Sequence, residues 1–413
     1  MTKLRLFDLL EMIGGGTPKR NISEYWDGDI DWLSVKDFNN NGRYVHKAKE
    51  TITEAGLNKS STKLLSKGDL IISARGTVGC LAQLTKPMAF NQSCYGIRGK
   101  EGINNDYLYY LLITKIAELQ QNSHGAVFDT ITTETFKILS VNLPPIIEQK
   151  IIASVLGALD DKIENNRRMN ETLEEMAQAI FKSWFVDFDP VHAKAAGNTP
   201  AHMDADTAAL FPNSFGDDGL PVGWIIQNYE TAMSILDSKR IPLSKIEREK
   251  RQGKYPYYGA ASLMDCVDDY LFDGTHLLMG EDGSVVHDDG RPFLQYVWGK
   301  FWVNNHAHVL QGKNGFSTEF LHCHLNLLDI SPYITGAVQL KLNQANMKRI
   351  PLIAPSKNIL QAFDRMVLPL FSKLQKNFDE NQTLAELRDT LLPKLMSGEI
   401  RVANAEREVE GLR

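Results

Sequence analysis

The sequence predicts an α+β protein with a pseudo-twofold internal repeat, in which two tandem globular domains are separated by two long helices that form an antiparallel coiled coil. The first observation is a repeated segment. HGAVFDTITTETFKILSVNL at 124–143 resembles TGAVQLKLNQANMKRIPL at 335–352, with Gly125 and Gly336 placed 211 positions apart. The second is that NETLEEM at 170 recurs as NQTLAEL at 381, with the same offset. A heptad pattern follows each copy, and a period this long indicates one duplicated domain rather than a solenoid.

The composition is that of an ordinary globular protein, with 43% hydrophobic and 23% charged residues over 413 positions. No apolar run has the length of a signal peptide or of a membrane helix, so we expect a cytoplasmic protein. The four cysteines form no CxxC pair, which predicts neither a disulfide framework nor a zinc ribbon.

The net charge of −6 argues weakly against a nucleic-acid-binding protein, because phosphate contacts require basic surface. The charge is, however, unevenly distributed. Residues 1–100 carry 15 Lys and Arg against 10 Asp and Glu, whereas residues 183–222 carry six Asp and one Lys. The acidic excess is therefore concentrated in one segment between the two repeats.

The first globular domain is predicted at residues 1–143. Short β-prone runs (DIDWLSV, DLIISA, SCYGIR) are broken by Gly, Asn and Pro and surround one helical stretch, NNDYLYYLLITKIAELQQN. The following segments are predicted as a spacer helix at 144–186, a connector at 187–222, a second domain at 223–355, a second spacer helix at 356–396 and a tail at 397–413. The connector is rich in Ala, Gly, Asp and Pro and is expected to be partly extended, returning along the helix.

The two spacer helices share one hydrophobic seam. In each helix two polar residues interrupt this seam, and we call them the polar break. The breaks correspond, since Lys162 and Asn166 recur as Lys373 and Asn377. Pairing of the helices would use these positions to fix the register, and a helix of about 40 residues would hold the domains about 60 Å apart. Packing of each helix on its own domain remains an alternative, and Pro369 is expected to kink the second helix. The predicted seam consists of Ile152, Val155, Leu159, Leu173, Met176, Ile180, Phe363, Met366, Leu370, Leu384, Leu387 and Leu391.

No catalytic constellation is visible. IGGGTPKR at 13–20 lacks the spacing of phosphate-binding loops and indicates a tight turn. No Asn-Pro-Pro-aromatic methyltransferase motif occurs. The histidines His306, His308, His322 and His324 are close in sequence, but the first repeat has no matching ligands at the corresponding positions, so no metal site is predicted.

Polar loop tips are the remaining candidates for function. ARGTVG at 74–79 and GEDGSVV at 280–286 are similar glycine-bearing turns with different polar residues, and Arg suits guanine while Asn or Gln suits adenine. In the second domain, residues 239–254 hold seven Lys and Arg against two Glu, and aromatic residues follow; a solvated charged helix is the alternative. The candidate DNA-binding residues are Lys36, Arg75, Thr77, Asn91, Gln92, Ser93, Lys239, Arg240, Tyr257, Tyr258, Asp282, Ser284 and His306.

Three segments also carry a family resemblance: GGGTPKRNISEYWDGDIDWLSVKDF near the start, residues 143–191 with SWFVDFDP, and LRDTLLPKLMSGEIRV at 387–402. Together they resemble the specificity subunit of type I restriction-modification systems. The resemblance implies that each globular domain is a target-recognition domain reading one half of a bipartite, asymmetric site in double-stranded DNA. It also implies that the chain is not an enzyme by itself.

The resemblance further implies two methylation subunits docked on the helices, joined by restriction subunits, with S-adenosylmethionine, ATP and Mg on those partners and no cofactor in this chain. Trp184 and Phe185, at a helix end, are candidate exposed partner-binding residues, with packing against the connector as the alternative. The second domain lacks GGTP and an equivalent of YWDGDIDW, which suggests two different half-sites. A non-catalytic protein-binding scaffold with duplicated domains is the alternative function.

Overall fold

The computed structural model describes residues 3–40, 42–121, 130–336 and 339–400. Gly125, one anchor of the repeat, and most of the predicted tail lie outside these residues. Contacts divide the chain into unit 1, residues 1–167 and 379–413, and unit 2, residues 168–378. Each unit therefore contains one globular domain together with one half of each long helix, so the predicted division into separate domains and spacers does not coincide with the compact units.

Unit 1 contains a five-stranded sheet in the order β2-β10-β7-β8-β4, a four-stranded sheet in the order β5-β3-β9-β6, and the pair β1-β11. Its helices before the long helix are α1 (Glu54–Asn58), α2 (Asn105–Gln121) and α3 (Thr133–Ile138). Its strands are β1 (Lys3–Arg5), β2 (Leu10–Gly14), β3 (Trp26–Leu33), β4 (Tyr44–Val45), β5 (Thr51–Ile52), β6 (Leu64–Leu65), β7 (Leu70–Ser73), β8 (Leu81–Leu84), β9 (Met88–Phe90), β10 (Cys94–Gly99) and β11 (Ser140–Asn142).

Unit 2 repeats this arrangement with sheets β13-β19-β16-β17 and β15-β14-β18 and the pair β12-β20. Its short helices are α5 (Asp189–Ala195), α6 (Ala205–Leu210), α7 (Tyr229–Ala232), α8 (Lys245–Lys250), α9 (Thr318–Leu325) and α10 (Gln344–Lys348). Its strands are β12 (Ile225–Asn228), β13 (Met233–Ile235), β14 (Gln252–Tyr258), β15 (Leu263–Val267), β16 (His276–Gly280), β17 (Leu294–Val297), β18 (Trp302–Val303), β19 (Ala307–Gly312) and β20 (Pro351–Ala354).

The strand order confirms the duplicated domain. The order β2-β10-β7-β8 in unit 1 matches β13-β19-β16-β17 in unit 2, and in both units a central strand of the second sheet pairs antiparallel with one neighbour and parallel with another. Trp32 pairs with Ala89 where Tyr257 pairs with Trp302. The Trp-rich segment therefore has a structural counterpart in β14 that the sequence comparison missed, because Tyr257 replaces Trp32.

The two long helices are α4 (Ile146–Phe185) and α11 (Lys357–Ser397), and within each unit they pair antiparallel. In unit 1 the amide nitrogen of Asn166 donates to Asn381 Oδ1 at 2.9 Å. In unit 2 Asn377 donates to Asn170 Oδ1 at 2.8 Å. Asn166 and Asn377 are 1% and 0% exposed, so the asparagines of the predicted polar break lie inside the helix pair, where they can fix the register, whereas Lys162 and Lys373 are exposed.

The predicted hydrophobic seam is wrong at two positions. Met176 and Met366 are 47% and 38% exposed, and the adjacent Ala177 and Val367 are buried instead. In both helices the inward position is thus one residue later than predicted, because a repeat of apolar residue types does not specify the local rotation of the helix. The helix α11 continues through Pro369. Of the other predicted seam residues, Ile152, Val155, Leu159, Phe363 and Leu391 are buried, whereas Leu173, Ile180, Leu370, Leu384 and Leu387 are half-buried.

The predicted partly extended connector is instead a packed part of unit 2. It contains α5 and α6, and its residues Val191 and Phe211 are buried in the same core as the sheet of that unit. Apolar residues spaced among the acidic ones supply this burial. Residues 187–222 are therefore part of the second domain rather than a linker.

The prediction that Trp184 and Phe185 are exposed partner-binding residues is also wrong. They are 4% and 3% exposed. The Trp184 ring lies 5.0 Å from that of Phe211, and the Phe185 ring lies 5.2 Å from that of Phe363. Packing against the connector, the alternative considered from the sequence, is what the structure shows.

None of the described helices combines the length and the apolar composition that crossing a lipid bilayer would require.

Two histidines in unit 2 predict a loss of stability in acid. His322 and His324 lie on α9, and removal from water lowers the pKa of each to about 4. The unfolded chain therefore binds more protons than the folded chain between pH 6.5 and about 4, so the free energy of unfolding falls as the pH falls through this window. We expect a loss of about 2 kcal/mol per histidine by pH 5, measured by urea unfolding at pH 7 and pH 5.

His324→Phe removes one of the two titrating imidazoles. It is therefore expected to reduce the loss in the free energy of unfolding between pH 7 and pH 5. Leu321→Ala, a buried change on the same helix that removes no titrating group, is the control and is expected to leave that loss unchanged. A His324→Phe variant with an unaltered pH dependence would contradict this assignment.

Candidate nucleic-acid interface

Three segments of unit 1 meet beyond the end of β7, and we call residues 74–77, 91–93 and 130 the unit 1 tip. The backbone N–H groups of Ala74 and Arg75 both donate to the carbonyl of Ser93, at 2.8 and 3.2 Å. The N–H of Ile131 donates to the carbonyl of Ala74 at 3.0 Å, and Arg75 forms a β-bridge with Thr130. Backbone hydrogen bonds thus bring residues distant in sequence to one surface.

The corresponding unit 2 tip consists of residues 281–284, 304–306 and 341. The N–H of Glu281 donates to the carbonyl of His306 at 2.8 Å, and the N–H of Leu342 donates to the carbonyl of Glu281 at 2.9 Å. Asp282 forms a β-bridge with Lys341. The two tips therefore share two backbone hydrogen bonds and the β-bridge.

Strand register defines which residues correspond. Ser73 pairs with Cys94 as Gly280 pairs with Ala307. Counting outward from these strand pairs identifies residues at equivalent backbone positions in the two tips. The equivalent residues are Arg75 and Asp282, Thr77 and Ser284, and Ser93 and His306.

Local conformation supports the same alignment. Gly76 and Gly283 both have positive φ, +78° and +74°, a conformation that glycine adopts without steric cost. The side chain of Asn91 accepts from the N–H of Ser93, and that of Asn304 accepts from the N–H of His306. Asn304 was missed by the sequence analysis, although the offset that aligns Ser93 with His306 also aligns Asn91 with Asn304.

The side chains on the two tips differ in chemistry. On the unit 1 tip, Arg75, Thr77 and Gln92 are exposed, and no ion-pair partner of Arg75 is found among the described residues. On the unit 2 tip, Ser284 is exposed and the imidazole of His306 hydrogen-bonds to the carboxylate of Asp282. One backbone frame thus presents an exposed guanidinium in one unit and a carboxylate–imidazole pair in the other.

The GGGTP segment supports the unit 1 tip by close packing. A Cβ atom on Gly15 would lie 2.1 Å from the carbonyl oxygen of Asn91, so only glycine fits there. Trp32 Nε1 donates to the carbonyl of Gly16 at 3.0 Å, and the hydroxyl of Thr17 hydrogen-bonds to the side chain of Gln92. The hydrogen-bonded turn lies after the glycines, at residues 19–22, and the glycine segment itself positions residues 91–93 by close packing.

Two predicted DNA-binding residues have side chains directed into the protein, which does not favour direct contact with DNA. Tyr257 is 1% exposed, and its hydroxyl accepts from the N–H of Leu243 at 2.9 Å. The side chain of Arg240 is 12% exposed and donates to Glu281 and to the carbonyl of Ala307, each at 2.7 Å. Both side chains are therefore structural.

The remaining candidates lie outside the tips. Lys36 is exposed in the 3₁₀ turn Val35–Asp37 after β3, and Lys239 is exposed in the 3₁₀ turn Asp237–Lys239. Tyr258 is half-buried, with its ring 5.9 Å from that of Phe301. These positions are compatible with contacts to a backbone rather than to bases.

The basic segment at 239–254 divides into inward and outward charges. Arg248 pairs with Asp265 at 3.2 Å, and Arg251 pairs with Asp268 at 2.9 Å. The helix α8 has a capping box between Ser244 and Glu247. The lysines remain exposed, as in the solvated-helix alternative considered from the sequence: Lys239, Lys245, Lys250 and Lys254.

The four histidines singled out in the sequence are not assembled into one site. His308 lies beside Asp237 and Glu281, the one group of three potential metal ligands found among the described residues. His324 Nδ1 instead hydrogen-bonds with the Tyr229 hydroxyl, and His322 packs near Phe371. The four histidines therefore share no common site, and among the described residues His308 alone of the four belongs to a group of potential metal ligands.

A family model described as the type I restriction modification DNA specificity domain matches residues 1–175 and 233–384. The type I restriction enzyme MjaIX specificity subunit of Methanocaldococcus jannaschii is 30% identical over 96% of this chain and 93% of that protein. The type I restriction enzyme HindI specificity subunit of Haemophilus influenzae is 29% identical over 71% of this chain and 77% of that protein.

A similar fold occurs in the crystal structure of a type I restriction-modification system S subunit from M. genitalium. The likeness covers 95% of each chain, with a TM-score of 0.55 and 17% sequence identity.

Proposed function

Because the chain belongs to the type I restriction modification DNA specificity family and is a non-catalytic DNA-specificity subunit of such a complex, we propose that its two tips each read one half of a bipartite, asymmetric site in double-stranded DNA. The single observation that carries this proposal is the repetition of one backbone frame with unlike side chains. Arg75 stands where Asp282 stands, and Ser93 where His306 stands. Equivalent frames with different donors and acceptors are suited to different base sequences.

The side chains of the unit 1 tip favour contacts in the major groove. The exposed Arg75 can donate two hydrogen bonds to guanine, and the amide of Gln92 suits adenine. Exposed lysines such as Lys36 and Lys239 would neutralise phosphates, which positions a protein on DNA without reading its sequence. The protein-scaffold alternative is not favoured, because the family is one of DNA specificity.

The long helices complete the proposal. We infer that α4 and α11 set the gap between the half-sites and offer their outer faces to two methylation subunits, with restriction subunits joining the complex. S-adenosylmethionine, ATP and Mg would be held by those partners, and the complex would act in the cytoplasm, where its DNA target lies. The antiparallel pairing within each unit supports a rigid spacer.

The experiment is a map of methylated adenines in a host genome carrying the complete system. The intact chain is compared with Arg75→Ala and with the triple change Asp282→Ala, Ser284→Ala, His306→Ala. We expect one two-part motif for the intact chain, with each variant altering or relaxing only one half and leaving the gap unchanged. Lys245→Ala, an exposed change on α8, is the matched control. An unchanged motif in both tip variants, with methylation still active, would overturn the proposal.

A change of Arg75 is expected to weaken specific binding more than nonspecific binding. Loss of a bidentate contact to guanine costs about 1–3 kcal/mol and relaxes the preference at one position. Lys36→Ala is expected to weaken binding to all sequences and to lower the slope of log affinity against log salt concentration by about one. Both are measured by fluorescence anisotropy of the assembled complex. If Arg75→Ala lowers affinity for all duplexes equally, Arg75 binds the DNA backbone instead.

A further inference from the structure

A network of charged side chains lies beneath the unit 2 tip, and we define the Arg240 network as Asp237, Arg240, Glu281, His308 and Gln344. We propose that the Arg240 network positions the unit 2 tip for base recognition through a balance of buried charge, whereas the unit 1 tip is positioned by neutral contacts. This inference rests on the proposed function. It assigns a role in specificity to residues that do not themselves face the DNA.

Arg240 holds the turn that carries His306. Its guanidinium donates to the carbonyl of Ala307 at 2.7 Å and to that of Asn305 at 3.4 Å, on either side of His306. The same guanidinium donates to Glu281 Oε2 at 2.7 Å, next to Asp282 in the sequence. One side chain therefore fixes the relative positions of two segments of the tip.

Asp237 and His308 attach the third segment. The carboxylate of Asp237 accepts from Gln344 Nε2 at 2.6 Å and from the N–H of Val309 at 2.9 Å, and it lies 2.6 Å from His308 Nδ1. His308 Nε2 donates to the carbonyl of Leu342 at 2.7 Å. The segment from Lys341 to Gln344 is thereby tied to the strand that follows His306.

The hydrogen bonds specify the charges. A carbonyl oxygen only accepts, so His308 Nε2 carries a proton. Burial would raise the pKa of Asp237, but the hydrogen bond and charge of His308, the Val309 N–H and the charge of Arg240 together hold that pKa below its usual range. Because two acceptors without a proton between them would repel at the 2.6 Å that separates His308 Nδ1 from Asp237 Oδ2, one proton lies between these atoms, and the His308–Asp237 pair carries no net charge.

The network is then electrically balanced. The His308–Asp237 pair is neutral as a whole, the carboxylate of Glu281 faces the guanidinium of Arg240, and the half-exposed ammonium of Lys341 lies 3.8 Å from Glu281. His308 is fully buried and Asp237 is 8% exposed. Removing one charge from such a group leaves an uncompensated buried charge, which is costly and is relieved by movement of the segments that carry it.

Unit 1 has uncharged residues at the positions that correspond to three members of the Arg240 network. Strand register places Gly14, Ala74 and Tyr95 where unit 2 has Asp237, Glu281 and His308. The unit 1 tip is instead held by the close contact of Gly15 with the backbone of Asn91. A change in the Arg240 network is therefore expected to affect one half-site only.

A divalent cation is the rival occupant of this position. Ligand atoms of Asp237, Glu281 and His308 lie within 4.8 Å of one another. A cation bound there would compete with Arg240, whose guanidinium lies 2.7 Å from Glu281 and 3.5 Å from Asp237. The measured metal content therefore distinguishes the two arrangements.

The test uses the assembled complex and three duplexes: the mapped site, the same site with the unit 1 half scrambled, and the same site with the unit 2 half scrambled. We expect Arg240→Gln to lower discrimination at the unit 2 half at least about tenfold, with discrimination at the unit 1 half changed by less than about twofold. Adding Glu281→Gln removes the opposite charge and is expected to recover part of the loss. Arg251→Gln, which breaks a pair with Asp268 outside the network, is the matched control.

Equal losses at both half-sites, no loss, or no recovery in the double variant would overturn the inference. So would a stoichiometric divalent metal in the intact protein whose chelation abolishes discrimination at the unit 2 half. If Arg240→Gln does not assemble, Arg240→Lys keeps the charge and is expected to give a smaller loss confined to the same half-site. An intact complex that discriminates neither scrambled duplex would instead refute the proposed function itself.

Discussion

Replacing Phe363 by alanine is expected to lower the free energy of unfolding of unit 2 by about 3–5 kcal/mol, the usual cost of removing a buried phenylalanine side chain. Phe363 is fully buried. Its ring lies 5.2 Å from that of Phe185 and 5.6 Å from that of Phe320, so the change opens a cavity between α4, α9 and α11. Urea unfolding monitored by tryptophan fluorescence measures the effect, because Trp184 lies in the same cluster.

Met366→Ala is the matched control for this change. Met366 lies one turn further along α11 and was predicted to share the seam with Phe363, but it is 38% exposed. Its truncation is expected to cost less than about 1 kcal/mol, because little buried surface is lost. Equal costs for the two changes would show that Met366 packs inside the helix pair after all.

The second large effect is expected for Arg388→Met in unit 1, which leaves the carboxylate of Asp160 buried without its cation. Asp160 is 4% exposed, and it accepts from Arg388 Nη1 at 2.8 Å and from the Tyr110 hydroxyl at 2.6 Å. Breaking a buried ion pair by removing one partner costs about 3–5 kcal/mol. The loss should appear in urea unfolding of the full chain.

Lys162→Met provides the comparison on the same helix pair. The ion pair of Lys162 with Glu380 has side chains that are 45% and 42% exposed, so its loss is expected to cost at most about 1 kcal/mol. Adding Asp160→Asn to Arg388→Met removes the stranded charge and is expected to recover part of the stability. An Arg388→Met protein as stable as the Lys162→Met protein would mean that Asp160 is reached by water.

The two long helices show which buried residues the heptad pattern predicts and which it does not. The heptad pattern placed Ile152, Val155 and Phe363 inside the helix pair, and the matching breaks placed Asn166 and Asn377 there as well. It failed at Met176 and Met366 because a repeat of apolar residue types does not specify the rotation of a straight helix within a heptad. Side-chain type also misled at the helix end, where Trp184 and Phe185 meet a connector whose folding no local pattern indicated.

The two tips likewise show which features the sequence predicts and which it does not. Chain offsets alone aligned Ser93 with His306, and the strand registers agree with that alignment. The same offsets could not show that Tyr257 replaces Trp32 in the core or that Arg240 points inward, because both depend on which face of a strand or turn packs against the sheet.

By itself, therefore, the sequence determined the duplicated α+β architecture, the two long helices and the family, since each of these is written in a repeat, a period or a contiguous motif. The tertiary structure alone decided which of the predicted contacts face outward. A basic or aromatic residue has the same local signature whether it meets solvent or a buried carboxylate, and only the packing of segments distant in sequence settles which. Arg75 and Arg240 are the clearest pair: one is exposed at a tip, and the other is enclosed beneath one.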